Sequence, residues 1–179
     1  MRAFIAIEMP KEIKEILLEA QKQINTEKAK IRPAKAFHLT LKFLGEVDET
    51  KVEEIKQKLS EIKFDSFETS LTNIGVFPNE SYVRVVWAGL DDSENKITNL
   101  QKEIDSKMET LGFKKDIRFH PHVTLARVKF VKDKQDFIKD LKEIKIKKES
   151  FQITEFKLIK SILTPEGPIY EDLGIFSAK

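Results

Sequence analysis

The sequence predicts an α+β fold of two pseudo-symmetric lobes, each a mostly antiparallel β-sheet backed by helices, with a central cleft between them. Three observations predict it. Short alternating or β-branched apolar runs are separated by stretches whose apolar residues recur every three to four positions. These stretches follow one another as β-α-β-α-β, twice, along 179 residues. The third element of each half carries the same local text, FHLTLKFLGEV in one and PHVTLARVKFV in the other, as a repeated supersecondary unit would. Residues 1-179 read as one bilobal domain with an internal duplication of approximately 1-80 and 81-179, because no linker or low-complexity run interrupts them.

Taken in order, Arg2–Glu8 is a short apolar strand, and Pro10 opens a helix to about Lys30 with Ile13, Leu17, Ala20 and Ile24 on one face. Ala36–Leu44 alternates: Phe37, Leu39, Leu41 and Phe43 take one face, and His38, Thr40 and Lys42 the other. Asp48 or Thr50 can cap a helix carrying Val52, Ile55, Leu59 and Ile62. Phe67–Phe77 is a strand closed by Pro78-Asn79. The order then restarts with strand Tyr82–Leu90. A helix capped from Asp91–Ser93 and stopped near Gly112 carries Ile97, Leu100, Ile104, Met108 and Leu111. Strand Phe119–Val128, helix Asp133–Glu143 and a hairpin of Phe151–Leu163 and Ile169–Phe176 complete the chain. The charge run at residues 142–149 reads as a solvated helix end and strand entry.

Composition narrows the function classes. Hydrophobic residues at 40% argue for a packed core, and a net charge of only +2 argues against a general nucleic-acid coat while allowing a local basic cleft. No cysteine is present, which excludes disulfides, Cys–zinc sites and thiol nucleophiles. No signal-peptide pattern or membrane-length apolar run is found, so the expectation is a soluble cytoplasmic protein.

Two of the three histidines stand in His-x-Thr-Leu: His38, Leu39, Thr40, Leu41 and His122, Val123, Thr124, Leu125. On a strand, His and Thr two apart share a face. One such strand from each lobe could gather two imidazoles and two hydroxyls around one small anion. An imidazole serves as acid or base near neutral pH, each role worth about 10²–10⁴ in rate. Threonine hydroxyls can donate to phosphate oxygens as their charge grows. A structural pair preserved by duplication is the bland alternative. His120-Pro121-His122 also places two imidazoles on one strand face, which with His38 would suit a metal; no carboxylate follows at a supporting spacing.

These motifs resemble the HxTx signatures of the two-histidine (2H) phosphoesterase superfamily. With the opening RAFIAIEMP and the ending KLIKSILTPEGPIYEDLGIF, the chain most resembles the RNA 2′,3′-cyclic phosphodiesterases, also called 2′-5′ RNA ligases. The resemblance implies hydrolysis of RNA 2′,3′-cyclic phosphate termini, on tRNA halves or nucleotides, to 2′-phosphomonoesters, with ATP-independent 2′-5′ ligation as the reverse reaction. It implies His38 as proton donor, His122 as proton acceptor, Thr40 and Thr124 as phosphate-binding hydroxyls, no cofactor and no metal. A monomer with no membrane or obligate protein partner is expected.

Arg127 matches a basic residue of that family, yet five positions beyond His122 a regular strand points it to the other face; a bulge would return it. Lys42 has the right parity for a phosphate or RNA-backbone contact, and the alternative is a solvated lysine. His120 is expected at the substrate rim. Phe77, Tyr82 and Trp87 are candidates to stack a base or to serve as core. The family-like ending leaves Ser161 and Tyr170 without roles. Rival functions are a 2H enzyme acting on a small cyclic nucleotide, for which long RNA would give no advantage, and a non-catalytic RNA-end or nucleotide-binding module, which would show no turnover.

Overall fold

A computed structural model describes residues 1–179 as four helices and nine strands. The strands are β1 (Arg2–Glu8), β2 (Ala29–Pro33), β3 (His38–Glu46), β4 (Phe67–Asn79), β5 (Tyr82–Leu90), β6 (His122–Val131), β7 (Ser150–Ile153), β8 (Glu155–Thr164) and β9 (Gly167–Ser177). The helices are α1 (Lys11–Lys22), α2 (Glu49–Ser60), α3 (Lys96–Glu109) and α4 (Lys134–Glu143). Every strand pairing is antiparallel, in the order β7-β4-β5-β6-β3-β1-β8-β9, with β2 against the far end of β6. The order is symmetric about the β6–β3 junction, where Leu39 lies opposite Val123.

The expected α+β architecture is present, with the lobes as two halves of one sheet that exchange strands. β4, from the first half of the chain, pairs with β5, while β8 returns to flank β1 and carries β9 on its outer edge. The stretch expected as one strand from Phe151 to Leu163 divides at Thr154. Its first part pairs with the start of β4 and the rest with β1 and β9, so it ties the two lobes together.

One face of the sheet is the core. Ile5, Ile7, Leu39, Leu41, Val86, Ala88, Val123 and Leu125 pack against Ile13, Leu17, Ile55, Leu59, Ile97, Ile104, Met108 and Phe137 from the four helices in a single cluster. These are the apolar stripes that the periodicity singles out, and burying them stabilises by about 25 cal/mol per Å² of apolar surface. The opposite face has only a small cluster of Phe4, Ala6 and Ile159 and is otherwise free to carry polar groups.

Boundaries differ from expectation at α1 and β6, whereas the ends of α3 are as expected. α1 stops at Lys22, and the chain uses Ala29–Pro33 as an extra strand whose partner, the end of β6, is remote in sequence. β6 begins at His122, so Phe119–Pro121 is irregular. α3 is capped by Asp92, whose carboxylate accepts from the Ile97 and Thr98 amides, and Gly112 at φ +88 closes its C-terminal side. No helix is long and apolar enough to cross a membrane.

Candidate active site

The site follows from one register. With Leu39 opposite Val123 and both facing the core, continuing the antiparallel register one residue each way sets His38 beside Thr124 and Thr40 beside His122, all on the open face. The outer strands extend the rows, since Glu8 pairs with His38, Ala6 with Thr40, Trp87 with Thr124 and Gly89 with His122. The two histidines occupy one diagonal of this quadrilateral and the two threonines the other. Diagonal neighbours in a sheet have Cα atoms about 7–8 Å apart. Two imidazoles on that spacing can flank a single phosphoryl group from opposite sides.

Each imidazole lies among aromatic rings. His38 meets Phe4 and Tyr170 edge-on, at centroid distances of 5.6 and 5.0 Å. His122 meets Phe77 at 4.8 Å and Trp87 at 6.1 Å. Burial holds both histidine pKa values below 6.5. The charges around them differ. At His38 the carboxylates of Glu8 and Asp172 favour the imidazolium and the ammoniums of Lys14 and Lys157 oppose it. At His122 the hydrogen bond to the His120 carbonyl favours the imidazolium, whereas the charges of His120 and Arg127 oppose it. That bond, 2.7 Å long, requires Nδ1–H as donor and leaves Nε2 of neutral His122 with a free lone pair.

Arg127 reaches the open face because of a bulge. Val86 pairs with Ala126 and Trp87 with Thr124, so Leu125 is the extra residue. Leu125 and Ala126 both face the core, and Arg127 turns outward to the open face, where its charge is felt at His122 and at Tyr170. The Leu125 carbonyl that closes the bulge accepts from the Ala34 amide at 2.8 Å and from the buried Gln21 side chain at 2.7 Å.

β3 has the same irregularity, and there it overturns two expectations. Ile5 pairs with Lys42 and Ala6 with Thr40, leaving Leu41 as the extra residue. Lys42 is therefore not on the face of His38. It is 2% exposed, and its Nζ bonds Asp105 at 2.5 Å, the Lys114 carbonyl at 2.6 Å and Asp116 at 3.2 Å. A lysine so enclosed cannot touch substrate. Phe43, expected in the core, is 70% exposed and stands on the open face against Phe4.

His120 is exposed, with its ring against Trp87 at 4.9 Å and Phe77 at 5.9 Å. No group of three or more His, Cys, Asp or Glu side chains is disposed to hold a metal ion. Phe77 and Trp87 border the site, whereas Tyr82 lies near Arg84 at the far end of β5. Tyr170 borders His38, and Ser161 is its cross-strand partner. Sequence reading missed Phe4, Phe43 and the Lys14–Glu8–Lys157–Asp172 chain of ion pairs. The acid that ends the apolar run RAFIAIE was the only local sign of that network.

Comparison with known proteins identifies the family. The family model described as LigT like Phosphoesterase matches residues 7–87 and again 90–170. An RNA 2′,3′-cyclic phosphodiesterase of Methanocaldococcus jannaschii is 41% identical over 174 residues, covering 96% of this chain and 97% of the relative. One from Archaeoglobus fulgidus is 38% identical, covering 98% and 99%. Among solved structures, Escherichia coli LigT complexed with 3′-AMP superposes with a TM-score of 0.78 at 27% identity, over 99% of this chain and 97% of the other. A protein of Thermus thermophilus does so with 0.81 at 28% identity, over the same shares. By the matched residues and by full-length relatives, this chain belongs to the LigT-like phosphoesterase family.

Proposed function

We propose that this chain hydrolyses RNA 2′,3′-cyclic phosphate termini to 2′-phosphomonoesters by acid/base catalysis from two histidines. The observation that carries the reading is the Leu39–Val123 register, which sets His38 and His122 on one diagonal of the open face and Thr40 and Thr124 on the other. The names borne by the full-length relatives support the same substrate class.

The cyclic phosphate lies over the quadrilateral. His122 Nε2 takes a proton from water as the water oxygen bonds to phosphorus. The P–O3′ bond breaks on the opposite side, and His38 delivers its proton to O3′. The phosphate stays on O2′. Each proton transfer contributes about 10²–10⁴ in rate. Thr40 and Thr124 donate to the non-bridging oxygens, and Arg127 adds positive charge beside them. The charges suit these roles: at the donor the carboxylates of Glu8 and Asp172 work against the ammoniums of Lys14 and Lys157, whereas at the acceptor the neighbouring charges of His120 and Arg127 both oppose protonation. Phe43 offers an exposed ring on which the terminal base can stack. On this reading the chain acts as a cytoplasmic monomer on RNA ends and needs no cofactor.

The test is turnover of an oligoribonucleotide ending in a 2′,3′-cyclic phosphate, in EDTA. His38→Ala and His122→Ala should each lower kcat by at least about a hundredfold while retaining the wild-type fold by circular dichroism. Near-normal turnover by either variant refutes the scheme.

A further inference from the structure

Beyond the four motif residues, the open face carries an unusual pair. In the β2–β6 ladder Arg32 lies directly opposite Arg127. Cross-strand partners share a face, so both guanidinium groups project on the side of Thr124. Ile31 and its partner Val128 turn to the core. Directly opposed residues have Cβ atoms about 4.5–5.5 Å apart, and like charges at that spacing are destabilising. No carboxylate relieves the repulsion: of the five arginines, only Arg2 has an acidic partner. The fold nevertheless fixes the arrangement. The Leu125 bulge, held by Gln21 and the Ala34 amide, turns Arg127 outward, and β2 is placed to present Arg32 beside it. Unpaired, adjacent guanidinium groups on a substrate-bearing face match one ligand chemistry, a phosphodiester or phosphomonoester anion.

The position says which phosphate. At about 3.3 Å per residue, with one residue lost to the bulge, the pair lies roughly 10 Å or less along β6 from Thr124. That spacing lets Arg127 reach back toward the scissile group while Arg32 beside it holds the phosphate one nucleotide away. Past the pair on the same face come Lys30 and its cross-strand partner Phe130, which is 60% exposed. The series of guanidinium pair, ammonium and exposed ring is the pattern that tracks a single strand, with cations on the backbone and a π-face for a base.

We propose that Arg32, together with Arg127, forms a second phosphate subsite that holds the 5′-phosphate of the terminal nucleotide, so that the enzyme prefers a chain end to a free nucleoside cyclic phosphate. The proposal rests on the phosphodiesterase reading above and deepens it. It makes Arg32 a specificity residue, and Lys30 with Phe130 the path of the next nucleotide.

The test compares kcat/KM on a nucleoside 2′,3′-cyclic phosphate with a free 5′-hydroxyl and on the same compound bearing a 5′-phosphate. Wild type should prefer the second, and Arg32→Ala should reduce that ratio about 10- to 100-fold, the range for loss of one charge-assisted phosphate contact. Arg32→Lys should retain part of the ratio. For an oligonucleotide substrate, the slope of log kcat/KM against log salt should become shallower by about 0.7 in Arg32→Ala. An unchanged ratio in Arg32→Ala, or no preference in wild type, overturns the subsite while leaving the phosphodiesterase reading intact. If wild type turns over neither compound nor the oligonucleotide, that reading fails by itself. The subsite is then judged by fluorescence anisotropy on an RNA ending in a 3′-phosphate, where equal Kd for wild type and Arg32→Ala overturns it.

Discussion

Replacing Lys42 with methionine separates the two roles that the position could hold. The side chain keeps nearly the same volume, so packing changes little and the perturbation is the lost ammonium. In the fold Lys42 is enclosed, and its Nζ serves Asp105, Asp116 and the Lys114 carbonyl. Removing one partner of a buried pair leaves an uncompensated charge, here on Asp105, and costs about 3–5 kcal/mol. The Asp116 amide that also donates to Asp105 relieves part of this. For a chain of this size each kcal/mol moves Tm by about 2–4 °C, so the midpoint should drop by about 6–20 °C. Thermal unfolding followed by circular dichroism reads it directly. Adding Asp105→Leu removes the stranded carboxylate, and the double variant should recover part of the loss. A phosphate-binding lysine would give the opposite pattern: kcat/KM would fall with Tm unchanged. That pattern, or a double variant as unstable as the sum of the two singles, would refute the account of Lys42.

Other consequences concern pH and packing. Because burial lowers both histidine pKa values, the window with His38 protonated and His122 neutral lies on the acid side of 6.5 in the free enzyme. A kcat/KM profile should therefore have both limbs below about 6.5, and Glu8→Gln should shift the limb set by His38 to lower pH; an optimum above about pH 7.5 contradicts this. Glu8 itself is held at about 2 from 4.5 by its hydrogen bonds to Lys14 and Lys157. A depressed carboxyl stabilises above its unfolded pKa, so its contribution is complete above pH 4.5 and fades as pH falls toward 2. Wild type and Glu8→Gln should thus differ most in stability near neutrality and converge in acid, measured by urea unfolding across pH. At Gly75 an added Cβ would meet the Trp87 ring at 2.2 Å. Gly75→Ala should cost about 1–3 kcal/mol and displace the ring bordering His122, seen as a change in Trp87 fluorescence with reduced kcat.

The parts of this molecule governed by local pattern were readable from sequence, and the parts governed by a single inserted residue were not. Helix stripes such as Ile13–Leu17–Ala20 and Ile97–Leu100–Ile104 announce their buried faces, and all of these residues are buried. His38 with Thr40 and His122 with Thr124 were found because period two holds over those residues. Beyond Leu41 the text FHLTLKF still alternates without a break, yet the ladder slips there and exchanges the faces of Lys42 and Phe43. Nothing in composition marks such a bulge, because it is set by the register of β1 against β3. In the second motif, the exposure expected of arginine conflicted with strand parity at Arg127, and that conflict did point to a bulge. β2 was hidden for another reason: AKIRP continues a helical pattern locally, and its strand partner lies far along the chain, with Ala29 opposite Val131.

The convergence of both imidazoles on one phosphorus is tested most directly by a crystal structure of the protein soaked in inorganic phosphate. A phosphate with oxygens within about 2.6–3.2 Å of Nε2 of both His38 and His122, and accepting from the Thr40 and Thr124 hydroxyls, is the predicted result. A phosphate bound by only one histidine, or an arrangement in which the two Nε2 atoms cannot reach the same group, would contradict it.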